Sequence, residues 1–242
     1  MKYRRQVSSL ALAVFLATTI YFTGQLQAQQ PNNATSGVEL ERVLSKMDAT
    51  AAGLHNVEAS FVWEQYQKVV DETDTQKGKI YFRRVGRETQ MAVDVTDPVI
   101  KCVLYANGKI QFYQPKIDQV TTYDTSKNRD EFESYLVLGF GSGGHEISKS
   151  FEVKYLGTEK LNGAETAKLD LVPRAVKVRN TFSHIILWID PAQGVSVQQQ
   201  FIEPTGDYRL TKYSDIHMNQ KLPDGVFKLK TTSKTKFVSP QG

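Results

Sequence analysis

A single cysteine, Cys102, stands in the whole chain, so no internal disulfide can form and a disulfide-stapled fold is excluded. It lies in the apolar run 99–105, where a small buried hydrophobe is expected rather than a reactive thiol. Histidine is also sparse: His55, His145, His184 and His217 lie far apart, and no two have metal-ligand spacing. There is no Gly-Xaa-Ser-Xaa-Gly elbow, no phosphate-cradling glycine loop before a helix and no Cys-Xaa-Xaa-Cys. Gly141-Ser142-Gly143-Gly144 offers glycines without the strand-turn-helix context a nucleophile needs. The carboxylates at Asp94 and Asp97, or Asp130 and Glu131, read as solvated charge. These absences predict no enzyme, no metal and no cofactor, and leave a hydrolase assembled from distant residues as the alternative.

Long hydrophobic runs are equally scarce. The most apolar stretch, Leu10 to Phe22, has about 13 residues, short of the roughly 20 that span a bilayer. Lys2, Arg4 and Arg5 precede it and Leu26-Gln27-Ala28 follows, the pattern of a secretory signal peptide over residues 1–28 with cleavage near Ala28. No cysteine follows that site, so the expected product is not lipidated and is free in the periplasm. Three positive charges and no acid fall in the signal, which takes the net charge from +4 to +1. So slight an excess predicts no nucleic-acid partner.

Beyond the signal, residues 29–35 are Gln-, Asn- and Pro-rich and read as a short disordered leader, followed by one domain over residues 36–242. Ser36 and Glu39 stand in capping-box spacing, and Leu40, Val43, Leu44, Met47, Ala51 and Leu54 recur at helical steps. After Gly53 the period changes to two: Val57, Ala59, Phe61 and Trp63 alternate with polar residues, as in a strand with one dry face. Further strands are expected at 76–84, 87–95, 99–106, 109–114 and 117–123, then 151–157, 165–172, 182–190, 195–203, 207–214 and 226–230. Asn107-Gly108 is the clearest turn, since a type I′ hairpin needs positive φ at both positions. Residues 126–140 read as a short helix with an acidic start, and the stretch from Gly139 to Gly144 as its terminating loop, or a hinge. The fold class is therefore α+β: a strongly curved antiparallel sheet of about 11 strands, an incomplete β-barrel, with two or three helices covering its concave apolar face.

The strands present Phe61, Trp63, Ile80, Phe82, Met91 and Val93 in the first half, with Leu104 and Phe112. Leu169, Leu171, Ile186, Trp188 and Phe201 follow in the second half, and Leu136, Leu138 and Phe140 stand in the intervening segment. Together they are candidates to line one apolar surface, either a ligand cavity or an ordinary core.

Asn56-Val57-Glu58-Ala59-Ser60-Phe61 leads into Gly78-Lys79-Ile80-Tyr81-Phe82-Arg83-Arg84, and then come residues 105–115, Leu187-Trp188-Ile189-Asp190-Pro191 and Leu222-Pro223-Asp224-Gly225-Val226-Phe227. This order of short segments resembles that of LolA-type periplasmic lipoprotein carriers. The resemblance implies a monomeric carrier that shields lipoprotein or lipid acyl chains. It implies as partners an inner-membrane export complex and an outer-membrane acceptor. It further implies that an arginine ending the second strand, Arg84 or its neighbour Arg83, bonds helix backbone and gates the cavity as a lid. A lipid- or glycolipid-sensing domain of the same fold stands as the runner-up, ahead of an envelope lipid hydrolase. The chain departs from the family at residues 231–236, which are polar where an apolar, proline-containing ending is usual.

Overall fold

In the computed structural model the described residues are 33–86, 88–128 and 138–240. The signal peptide read from the sequence, residue 87 and most of the helix expected at 126–140 lie outside them, Leu136 included.

The chain begins with α1 (Asn33–Gly53) and continues through β1 (Asn56–Gln67), β2 (Glu72–Val85), β3 (Glu88–Asp97), β4 (Lys101–Ala106), β5 (Lys109–Gln114) and β6 (Gln119–Asp124). After α2 (Gly144–Ser150) come β7 (Phe151–Leu161), β8 (Ala164–Pro173), the single turn α3 (Val176–Arg179), β9 (His184–Asp190), β10 (Val195–Ile202), β11 (Tyr208–Met218) and β12 (Lys236–Val238). Helix α1 starts three residues before Ser36, which therefore lies inside the helix and does not cap it, and the expected leader contributes its last residues to the first turn.

Two meanders make the sheet. Strands β1 to β6 pair in sequence order, β7 to β11 do the same, and β1 pairs antiparallel with β11 to join the wings into one 12-stranded sheet. The sheet is curved and not closed, because its two edges are β12 and β7. Asn107 and Gly108 take φ of 54° and 66°, the left-handed pair that the β4–β5 hairpin requires. Asn162 and Gly163 repeat the device between β7 and β8, with φ of 51° and 85°.

Strand alternation decides which side chains share a face. Val57, Ala59 and Phe61 of β1 are buried and alternate with half-buried neighbours, and their partners Phe82, Ile80 and Gly78 on β2 carry the same face onward. Helix α1 lies on this side, here the inner face. Val43 and Met47 pack with Leu138, Leu169, Leu171, Ile185, Leu187 and Ile189 in a continuous core over β8 and β9. Burial of each large aliphatic side chain contributes about 1.5–3 kcal/mol, so this wing supplies most of the apolar stabilisation. Asn219 fixes the helix end: its Oδ1 accepts from the His55 amide at 2.7 Å and its Nδ2 donates to the Gly53 carbonyl at 2.8 Å.

The expected last strand at 226–230 is not a strand. Pro223 and Gly225, the latter at φ of 73°, break the extended run. Leu222, Val226, Phe227 and Leu229 then lie across the outer face on Tyr81, Ala92 and Leu104. Those three side chains leave the outer side of β2–β4 apolar, and the C-terminal segment covers that face instead of extending an edge. The final strand is β12, pairing parallel with β6. Asp118 anchors it by accepting from the hydroxyls of Thr232 and Thr235, each at 2.6 Å.

Candidate functional site

The inner face is filled under α1 and hollow beside it. Over β1–β5 and β11 lies a cleft of about 290 Å³, lined by Phe61, Trp63, Ile80, Val93, Val95, Val103 and Phe112 with Gln76, Lys101, Thr211 and Tyr213. The register explains the floor: Ala59, Ile80, Val93, Val103 and Phe112 are successive partners across five strands. Three other hollows, of about 450, 420 and 350 Å³, are larger, the last lined by Asn162, Glu165, Asp190, Gln198 and Lys212 among others. The first two lie against the C-terminal segment: one is lined by Arg83, Arg84, Lys221, Asp224 and Lys228 among others, and the other sets Asp94, Asp224, Lys228 and Lys230 beside Tyr81, Ile100 and Val226, so both carry more charge than the cleft.

At the end nearest α1 the cleft narrows to a gap of about 10 Å³ between Val57, Ile80, Phe82, Met91 and Phe140. Phe140 is the plug. It stands edge-on to Tyr213 with ring centroids 4.5 Å apart, a favourable geometry for an aromatic pair. Burial pushes the Tyr213 hydroxyl well above the ordinary tyrosine range. The turn that carries Phe140 is held from three sides. Gln199 Nε2 donates to the Leu138 carbonyl at 2.7 Å, the Ser196 amide donates to the Gly139 carbonyl at 2.8 Å, and the Arg84 guanidinium donates to the Gly141 carbonyl. Arg84 also donates to the Ala51 carbonyl in the last turn of α1, at 3.1 Å. Arg83 faces the other way, bonding Gln90 at 2.8 Å and stacking 4.1 Å over the Phe227 ring. Of the two candidate arginines, Arg84 therefore reaches the helix backbone.

Beyond the plug, α2 approaches α1 so closely that a Cβ on Gly144 would lie 2.4 Å from the Leu44 backbone. His145 bridges the same junction, with Nδ1 on Asp48 and Nε2 at 3.2 Å from Glu41. Those hydrogen bonds, Asp48 first, raise the His145 pKa above the ordinary histidine value. A raised folded-state pKa places the stabilisation fully below about pH 6.5 and removes it as pH climbs through the raised value. Accordingly, hydrogen-exchange protection of residues 147–150, corrected for intrinsic rates, is expected to hold below about pH 6.5 and to fall as pH rises above it. His145→Gln should flatten that profile, and an unchanged profile in the variant would rule the bridge out.

Of the side chains expected to line a cavity, Phe61, Trp63, Ile80, Val93 and Phe112 line this cleft, and Phe82, Met91 and Phe140 line its narrow end. Leu138, Leu169 and Leu171 are on the inner face inside the packed core, with Phe201 against it. Leu104, Ile186 and Trp188 are on the outer face: Leu104 lies under the C-terminal segment, and Trp188 lies beneath Lys168, 4.9 Å from its ring centroid. The reason is phase. Residues 102–104 and 185–189 are unbroken apolar runs, because both faces of the sheet are covered there, and such runs carry no alternation to assign a side. Val57, Val95, Val103 and Tyr213, with the polar Gln76, Lys101 and Thr211, line the cleft or its narrow end without being among the expected residues. The alternation of Val93 and Val95 pointed to Val95; for Val103 the signal lay only in its pairing opposite Val93.

The family model for the outer membrane lipoprotein carrier protein LolA matches residues 52–230. The chain belongs to the LolA family. The match spans the cleft, the plug turn and the C-terminal cover. No curated protein matches the chain. Among solved structures, an uncharacterized conserved protein from Thermus thermophilus is similar at 11% identity, over 84% of this chain and 99% of that one, with a TM-score of 0.53. MucB is similar at 13% identity over 86% of this chain and 67% of that one, with a TM-score of 0.50. In the Pseudomonas aeruginosa MucA/MucB complex the likeness has 11% identity and a TM-score of 0.49. It covers 79% of this chain but 61% of the other, so this LolA-family chain spans about three fifths of that protein's length. At such identities the likeness is one of fold.

Proposed function

We propose that this chain is a periplasmic carrier that shelters the acyl chains of lipoproteins, or of a lipid, in the inner-face cleft during transfer between membranes. The supporting observation is the cleft itself, an apolar hollow beside a packed core, closed at one end by a turn that Arg84 ties to α1. In this reading the signal peptide is removed near Ala28, the product is monomeric, and cargo passes from an inner-membrane export complex to an outer-membrane acceptor. Binding rests on area. An acyl segment of about ten methylenes gains about 8 kcal/mol on burial, and association costs at least about 4 kcal/mol. The surplus is modest, so cargo can leave.

Arg84 then acts as a latch on the plug. Its two bonds to helix and turn carbonyls, worth about 1 kcal/mol each at an exposed position, favour the closed empty form. Mass spectrometry of an organic extract of protein purified from the periplasm is expected to show co-purified acyl lipid. Arg84→Leu is expected to slow cargo release several-fold and to cost the empty protein at most about 2 kcal/mol, read as a lower urea midpoint at unchanged slope. A lipid-free extract from a chain that also binds no apolar probe would leave the cleft a packing defect and end the carrier reading. The lipid recovered also decides between carriage of lipoproteins and recognition of a free lipid or glycolipid.

A further inference from the structure

The cleft is not uniform from end to end. Toward α1 its walls are Val57, Phe82, Met91 and Phe140. Toward the β1–β2 and β3–β4 turns they become Gln76, Thr211 and Lys101. Register places these at one end, since Gln76 and Thr211 both flank Trp63, while Lys101 opens β4 opposite Val95.

Among the described residues, Lys101 is the one charged side chain in the lining of the cleft. It has no ion-pair partner among them; its ammonium stands 5.9 Å from the centre of the Phe112 ring. The nearest carboxylate in register, Asp94, faces the outer side and accepts from the Cys102 thiol at 2.9 Å. By contrast Arg209 of β11 is neutralised by Glu203 at 2.9 Å. An ammonium left unpaired at an empty, wet cleft costs little, because water solvates it. Once hydrocarbon fills the cleft that water is displaced, and a neutral cargo would leave the cation facing an apolar body.

We infer that the cleft selects amphiphiles with an anionic headgroup, a phosphate or carboxylate next to the acyl chain. Lys101 receives the anion, and the chain runs along the strands toward the Phe140 plug. Gln76 and Thr211 supply neutral hydrogen-bonding groups at the same end. The inference rests on the carrier reading above and adds to it the polarity of the cargo and the direction in which it lies.

The test is calorimetric titration of the whole mature chain with dodecyl phosphate, dodecanoate and 1-dodecanoylglycerol, each below its micellar concentration, in the wild type, Lys101→Met and Lys101→Arg. The wild type is expected to bind the two anions about tenfold more tightly than the glyceride, as a charge-assisted hydrogen bond of about 1.5 kcal/mol implies. Lys101→Met should erase the preference, weakening the anions and leaving the glyceride bound as tightly as before or more so, since no cation is then covered by hydrocarbon, and Lys101→Arg should keep it. A phosphate preference without a carboxylate one assigns the anion to a phospho-headgroup, and the reverse assigns it to a fatty acid. Equal affinity for glyceride and anions in the wild type, or a preference that survives Lys101→Met, overturns the headgroup inference while the carrier reading stands. Failure of all three to bind overturns the carrier reading itself.

Discussion

Gly78→Ala is expected to destabilise the protein by about 3 kcal/mol or more, far beyond what an exposed strand substitution costs. Gly78 lies in the middle of β2, facing inward between Phe61 and Val95, and a Cβ there would sit 1.9 Å from the Asp94 carbonyl oxygen and 2.9 Å from the Val95 Cα. These are backbone atoms of the neighbouring strand, so no rotamer change relieves the collision. The pairing of β2 with β3 already shifts register between Lys77 and Gly78, and the bulge brings the two backbones together at this point. Alanine must force them apart beneath the cleft floor. The change should appear as a lower urea midpoint at unchanged slope, with a fall in Tm of roughly 6–12 °C for a chain of this size. Gly53→Ala is the matched control, because a Cβ there meets nothing within 4 Å, and it should be neutral or slightly stabilising. If the Gly78 variant melts with the wild type, the close approach of β2 and β3 is wrong.

Gly78 also shows how the sequence could be read and where it could not. The period of two in β1 announced an inner face, and Asn107-Gly108 announced a hairpin, because in both cases a local physical requirement selects the residue. The lone glycine inside β2 is a signal of the same kind, for a bulge or a close approach, on which no expectation above was built. What sequence could not supply was side. In residues 102–104 and 185–189 apolar residues occupy consecutive positions, since the outer face is covered as well as the inner, and no pattern there separates Leu104, Ile186 and Trp188 from the candidates that do face the cleft. The ambiguity between Arg83 and Arg84 had the same origin, a one-residue phase that only pairing settles: Arg84 stands two residues from Phe82 and shares its inward face.

The C-terminal segment misled for a different reason. Val226 to Lys230 has strand-like composition, but what decides its structure is an apolar outer face on β2–β4 that exists only after the sheet has formed. Conversely β12 is three exposed residues, Lys236–Val238, fixed by the Thr232 and Thr235 hydroxyls on Asp118, a long-range arrangement with no local signature. The division of the inner face is also tertiary. Leu169 and Leu171 are no more apolar than Ile80 and Val93, yet the former lie under α1 and the latter line a hollow. A helix that covers one wing leaves the other available to a guest.

That division predicts a variant that loses binding and keeps its fold. Ile80→Asp is expected to weaken binding of a neutral acyl probe such as 1-dodecanoylglycerol by at least about 100-fold. Ile80 borders both the cleft and its narrow end, so no acyl chain can fill the hollow without covering the new carboxylate. Removing that group from water without a partner costs about 3 kcal/mol or more, which is the stated factor. In the empty protein the position is only half-buried and the carboxylate stays hydrated through the open cleft, so the Tm should fall by no more than a few degrees. Gly78→Ala should do the opposite, lowering stability first and binding only as the sheet loosens. Val69→Asp, on a turn where the native side chain is 94% exposed, should change neither. A folded Ile80→Asp protein that retains full affinity for the probe would place the cargo somewhere other than this cleft, and the outer-face hollows beneath residues 220–230 would become the next site to test.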